Sequence, residues 1–269
     1  MANQRGEVVG PQKSFVVEMR ARREAAGLSR CRLAEALGCT PQWLAKVENC
    51  DKAPSEGLAE DLDTFWTTGG TFHRLWEQMA EARRQRLIPS AFRPLVDAEQ
   101  EAVQIGIYEP LLIPGIFQSE EYARRVLGTG FHQEKLEDLL SIRMGRQKLY
   151  EKADPPVIFL VIREAVIRDL PAEVRTDQCK KLLDLMSWQK VFVQIIPTGT
   201  HVFEPSGFQV LSFADSADIA YVEGANGHGQ MFVRAEEVRG LDVLFNVIRT
   251  IALSVEETRH LVETIMEDA

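Results

Sequence analysis

The sequence predicts a multi-domain protein: an all-α helix-turn-helix N-terminal domain, then an α+β domain with a mixed or antiparallel sheet of about five strands. Three observations predict it. Two short helical patterns separated by a glycine lie between Leu28 and Pro54, and five short β-rich runs fall after Val157. The charge also divides the chain. The total is −9 over 269 residues, yet Pro11 to Lys52 holds eight Lys or Arg against five acids, a local +3 that leaves −12 on the remainder. A basic head on an acidic body suits a nucleic-acid reader joined to a domain that does not touch nucleic acid. With 45% hydrophobic residues there is material for a small domain and a larger one with its own core.

The organising stretch is LSRCRLAEALGCTPQWLAKVENCDKAP, Leu28 to Pro54. Ser29 is an N-cap whose hydroxyl can accept from a first-turn N–H. Leu33, Ala34 and Leu37 then share one helical face, and Gly38 ends the helix in a left-handed conformation. Thr40 and Pro41 start a second helix as cap and first-turn residue, with Leu44 and Val47 facing inward.

Spacing across this stretch resembles the Xre or phage-repressor-like family. Gly27, Leu28, Ser29, Leu33, Ala34, Gly38, Thr40, Leu44, Val47, Glu48 and Pro54 fall on its pattern. Arg30 stands where that pattern has glutamine, and Cys50 where it has glycine, which puts a side chain at a left-handed position. The resemblance implies a second helix lying in the DNA major groove. Pro41, Gln42, Trp43 and Lys46 then face the bases, with Gln42 able to pair with an adenine and Lys46 able to reach a guanine or a phosphate. Trp43 has two readings, a contact to a thymine methyl or sugar, or a hydrophobic cover over the helix pair. Arg30, Thr40 and Asn49 lie where phosphates should run.

In chain order, 1–68 forms the helix-turn-helix domain, 69–90 a helical linker and 91–269 the α+β domain. Met1 to Pro11 is polar and loose, and Ser14 to Ala26 is the first helix. Its Arg20, Arg22 and Arg23 either lie near DNA or form a solvated face. Ser55 caps the helix that closes the first domain near Thr68, and Gly69-Gly70 is the expected hinge. Thr71 to Leu87 is a further helix ending in the Arg83, Arg84, Arg86 cluster, and an amphipathic stretch runs from Ala91 to Gln104.

Tyr108 to Leu127, YEPLLIPGIFQSEEYARRVL, holds two prolines and a glycine before Ser119 caps another helix. Together with Arg143–Gln147, Ile162–Glu164, Val191–Pro197, Gly207–Phe213, Tyr221–Glu223 and the Leu253–Glu257 region, it resembles the C-terminal domain of WhiJ-like, antitoxin-like bacterial regulators. Helices are expected over Phe131–Tyr150, Val174–Trp188, Glu236–Ile251 and Ser254–Met266. Strands are expected over Val157–Ile162, Val191–Ile196, Phe208–Phe213, Ile219–Val222 and Met231–Val233. The stripe from Val238 to Ile251 either covers these strands or supplies a dimer interface.

The joint resemblance implies a sequence-specific, double-stranded operator-binding regulator, homodimeric, bacterial and cytoplasmic. Its C-terminal domain would sense a partner protein or small effector. The alternative is an antitoxin-like protein that sequesters a small acidic partner encoded nearby and autoregulates its operon. Candidate partner or effector residues are Tyr108, Gln118 and Glu223. The Tyr108–Gln118 loop is either part of such a site or a rigid connector packing Leu111, Ile113 and Phe117, and Gln118 is the polar residue that packing does not need. Glu223 ends a strand beside the Gly224–Gly229 loop, as a pocket-lining acid or a structural one. That loop fits no phosphate-binding glycine pattern.

No nucleophile elbow or metal-binding histidine pattern occurs, and the five histidines are scattered, so no catalytic residue, metal or cofactor is expected. The four cysteines show neither a metal nor a disulfide spacing. Cys39 is expected in the core, with Cys31 or Cys50 the alternative as a redox switch. No long apolar run or signal peptide appears, so no membrane partner is expected.

Overall fold

The structure, a computed structural model, describes residues 10–129, 135–224 and 229–268, the side chains of 84–86 excepted. The expected loose N-terminal segment up to residue 9, the first turn of the Phe131 helix, the middle of the Gly224–Gly229 loop, and the side chains of Arg84 and Arg86 lie outside these residues. The chain forms two compact units, Met1–Arg86 and Leu87–Ala269.

The first unit is helical: α1 Pro11–Ala25, α2 Arg30–Ala36, α3 Pro41–Glu48, α4 Glu56–Trp66 and most of α5 Thr71–Leu87. The caps act as the residue types require. The side-chain oxygens of Ser29, Thr40 and Ser55 accept from the backbone N–H groups of Arg32, Trp43 and Leu58 at 3.2 Å. Phe15, Met19, Leu33, Leu44, Val47, Leu58, Leu62 and Phe72 meet in one core. Cys50 takes φ +62°, the strained position expected where the pattern has glycine. Gly69-Gly70, expected as a hinge, is instead a turn inside this unit. Asp63 accepts from the N–H groups of Phe72 at 2.9 Å and His73 at 2.8 Å, and the Phe72 ring packs 5.3 Å from Phe15. The carboxylate thereby caps α5 and ties it to α4.

The second unit is α+β, built in the order α6 Arg93–Glu101, β1 Gln104–Glu109, α7 Glu120–Gly128, α8 Leu136–Arg146, β2 Val157–Arg163, α9 Ala165–Arg168, α10 Ala172–Leu185, β3 Val191–Ile196, β4 Phe208–Ser212, β5 Ile219–Val222, β6 Gln230–Phe232, α11 Ala235–Arg249 and α12 Val255–Glu267. Its mixed sheet runs β3-β2-β1-β4-β5-β6. β1, β2 and β3 are parallel, and β4, β5 and β6 continue from β1 antiparallel. Strand alternation sorts the two faces. Ile105, Ile107, Ile158, Leu160, Val193 and Leu211 pack with residues of α6, α7, α10 and α12. Tyr108, Val161, Phe208 and Ala220 pack with Val238, Phe245 and Ile248 of α11.

The sheet has six strands rather than about five, and the missing one, β1, is central. Its segment reads as the end of an amphipathic stretch running into a proline loop, which hides a strand buried on both faces. Gly106 lies against Phe245, where a β-carbon would sit 2.9 Å from the ring; the glycine permits that approach. The α11 stripe packs on the sheet, the first of its two readings. Among the described residues no helix is long and apolar enough to cross a membrane.

Candidate nucleic-acid interface and C-terminal cleft

Helix α3 presents Gln42, Lys46 and Asn49 to solvent at helical spacing, with Thr40 exposed at its cap and Pro41 and Trp43 half-buried. Leu44 and Val47 are fully buried. Trp43 packs against the domain core, as a cover over the helix pair would, and Lys52 Nζ lies 6.0 Å from its ring centre.

Behind α3, the Glu48 carboxylate is fully buried and accepts from Arg23 Nε at 2.7 Å and Arg30 Nε at 2.5 Å. Burial pushes its pKa up, but the bonds from the two arginines outweigh this and hold it below the ordinary value. Arg20 donates to the Glu48 carbonyl at 2.9 Å, and Arg22 pairs with Glu18 at 2.6 Å. Of the α1 arginines, Arg20 and Arg23 thus tie α1 to Glu48 at the end of α3, while Arg22 pairs within its own helix. Arg30 is half-exposed, and its Nε donates to Glu48.

Among the described residues one group brings metal-ligand types together: Glu56, Glu60 and His73, whose donor atoms lie within 4.8 Å of one another. The two glutamates are exposed, and His73 Nε2 also sits 3.6 Å from Glu77. The cysteines are free thiols. Cys31 and Cys50 are exposed, Cys39 lies partly buried against the first core, and burial raises Cys179 to about 11.

The second unit contains a cleft of about 900 Å³. Leu87, Phe92, Leu111, Leu127, Leu139 and Ile142 contribute apolar walls, and Glu109, Gln118, Arg143, Arg146 and Glu223 contribute polar groups. Sheet register explains how the acids meet. Tyr108 pairs with Phe208 and Phe208 with Val222, so one step further Glu109, Gly207 and Glu223 form a row across three strands. The Glu223 N–H donates to the Gly207 carbonyl at 2.8 Å, and the Glu109 carboxyl lies over the Gly207 α-carbon. Glu109 is 9% exposed. Burial, with the Glu223 charge beside it, raises Glu109 to about 8; burial also raises Glu223, opposed by Arg146 and Arg143.

Arg146 closes a bidentate pair with buried Glu99, at 2.6 and 3.0 Å, and lies 4.9 Å from the Phe92 ring centre. Arg143 donates from Nη1 to Gln118 Oε1 at 2.8 Å, while Gln118 Nε2 donates to the Ile113 carbonyl at 2.7 Å. Burial, with Arg146 nearby, lowers the Arg143 guanidinium to about 10.

Of the residues singled out for this domain, Gln118 and Glu223 line the cleft and Tyr108 does not. The Tyr108 side chain turns to the opposite sheet face and donates to the Glu204 carbonyl at 3.0 Å. Gln118, expected to be dispensable for packing, is 2% exposed and clamps its loop, because its amide satisfies a buried carbonyl and orients Arg143. Nothing in the sequence alone singles out Glu109 or Arg143 as cleft residues. Once β1 is known as a strand, alternation points to Glu109: it follows Ile105 and Ile107 on the same strand face.

Residues 14–76 match the model of a helix-turn-helix domain, and residues 92–264 match that of the domain of unknown function DUF5753. No curated protein matches the chain. A solved structure of TrmBL2, described as an archaeal chromatin protein with a novel mode of DNA binding, aligns over 91% of this chain and 93% of that one, at 11% identity and a TM-score of 0.32. A likeness that low carries no argument. The chain, with a helix-turn-helix domain at its N-terminal side, belongs to the DUF5753 family.

Proposed function

We infer that this protein is a sequence-specific transcriptional regulator of the Xre type, whose WhiJ-like C-terminal domain binds a small effector in its cleft. One observation carries the reading: α3 keeps Gln42, Lys46 and Asn49 outward while a buried Glu48–arginine cluster fixes its orientation. A rigidly held helix with polar residues on its outer face is what base readout needs. Helix-turn-helix proteins commonly meet two-fold sites as dimers, so the working form is taken to be a homodimer, in a bacterial cytoplasm. The C-terminal domain acts by binding rather than by catalysis. The antitoxin-like alternative, capture of a small acidic partner, has less support, because the cleft carries two carboxyls, Glu109 and Glu223, beside Arg143 and an Arg146 already closed on Glu99, with no surplus of positive charge.

Selection from a random duplex library with the full-length protein tests the reading. One enriched motif, relaxed at one base pair in Gln42→Ala, supports it; a bound pool with no preferred sequence overturns it.

A further inference from the structure

We propose that the cleft binds a small organic cation, with an ammonium-type head against Glu109 and Glu223 and an apolar body covered by the aliphatic walls. The proposal rests on the effector reading above and names the effector's chemical class.

It follows from the charges and their partners. Five ionisable groups meet around the cleft floor: Glu109 from β1, Glu223 beyond β5, Arg143 and Arg146 from α8, and Glu99 from α6. Burial, with Glu223 beside it, pushes the Tyr221 hydroxyl up to about 12. Glu99 and Arg146 neutralise each other in a closed bidentate pair. Arg143 is bonded to Gln118, and Glu223 lies in the field of both arginines. Glu109 remains. Among the described residues its carboxyl makes no hydrogen bond and no ion pair, although it is 9% exposed and lines the cleft.

A buried carboxylate with no partner is costly, and such a group keeps its proton until a counter-charge arrives. Its rise to about 8 agrees with that. A ligand cation displaces the proton and forms an ion pair where water is largely excluded, so the attraction is weakly screened. An anionic head meets two carboxyls, with Arg146 already closed on Glu99 and Arg143, held by Gln118, the single cation set against them. A neutral head leaves the carboxyl as it was. The cleft volume of about 900 Å³ takes a body of ordinary metabolite size, and its leucine and isoleucine walls favour one without further charges.

Calorimetric titration of the full-length protein with n-octylammonium, 1-octanol and octanoate separates the head groups on a common chain. Octylammonium is expected to bind at least roughly tenfold more tightly than octanoate. In Glu109→Gln its affinity should fall to that of octanol, while octanol binding, which reports an intact cleft, stays unchanged. Wild-type affinity for octylammonium should also rise with pH, by up to about tenfold per unit, and level off above the Glu109 midpoint near 8. This profile decides the matter even if the variant does not fold.

Octanoate binding as tightly as octylammonium, an unchanged preference in Glu109→Gln, a flat pH profile, or no binding by any probe overturns the proposal. Affinity for a selected duplex, measured alongside, keeps the two readings apart. Octylammonium binding in the cleft with no effect on DNA affinity leaves the cation proposal standing and sinks the regulatory one. An effect on DNA affinity from octanoate alone does the reverse.

Discussion

The Glu109 carboxyl fills the space above Gly207 that a side chain would need: a β-carbon on Gly207 would overlap both carboxyl oxygens. Gly207→Ala should therefore drive the carboxyl out of its place. The displaced atoms end a flexible side chain, so the expected loss is modest, about 1 kcal/mol in urea unfolding. Most of that loss should vanish when Glu109→Ala is added, because the second change removes the clash. A loss that persists in the double variant would place the strain in the backbone instead.

Glu109 also predicts a pH dependence. Its folded pKa is raised, from the ordinary 4.5 to about 8. Below 4.5 the carboxyl is protonated in both the folded and the unfolded chain and has no effect on the balance. Between 4.5 and 8 the unfolded chain releases the proton and the folded chain keeps it, so rising pH favours unfolding by up to roughly 1.4 kcal/mol per unit. Above 8 the loss is complete. The stability of Glu109→Gln relative to wild type should thus climb across this window and then stay level, as urea midpoints over a pH series will report.

Glu48 behaves oppositely. Its pKa is held below the ordinary 4.5, so its stabilisation is present above that value and is lost as pH falls through the lowered folded value. Glu48→Gln should remove this acid-sensitive part. It should also destabilise the helix-turn-helix unit by about 3 kcal/mol at neutral pH, because Arg23, with a side chain only 10% exposed, loses its counter-charge. Thermal unfolding of the two proteins at neutral and acid pH checks both effects.

On DNA, the exposed and the bonded residues should fail differently. Gln42→Ala is expected to cost roughly 1–3 kcal/mol on the selected site and to relax preference at one base pair. Arg30→Ala should weaken selected and scrambled duplexes alike and make the salt slope shallower by about one. Because its Nε holds Glu48, Arg30→Ala should also lower the melting temperature, which Gln42→Ala should not. Titrations at several salt concentrations, paired with melting curves, separate the two. An equal loss on both duplexes for Gln42→Ala rules out the assumed docking of α3.

Much of the first unit is legible in the sequence because its boundaries are chemical. Ser29, Thr40 and Ser55 are cap residues by type, and each accepts the N–H three positions on. Partners remote in sequence are not legible. Arg30 reads only as a phosphate contact, and its second role, donating its Nε to Glu48 18 residues on, does not show in the sequence. Likewise Tyr108, Gln118 and Glu223 look equivalent in a list of polar residues near turns. Strand alternation and the β1–β4–β5 register send Tyr108 to one face and Glu223 to the other. Glu109 shows the same gap, since a carboxylate after two isoleucines has no assigned face until its segment is known to be a strand.

The place of β1 in the sheet has a consequence for biosynthesis. On one side it pairs with β2, and on the other Gln104 pairs with Ser212. While the chain is being made, β1 leaves the ribosome long before its second neighbour, and the Glu109 carboxyl stays in water until Gly207 arrives to lie beneath it. The helical head, whose core draws on nothing past Trp76, is complete far earlier. A nascent chain halted short of Phe208 carries a finished helix-turn-helix head and an open half-sheet in which β1 is a bare edge.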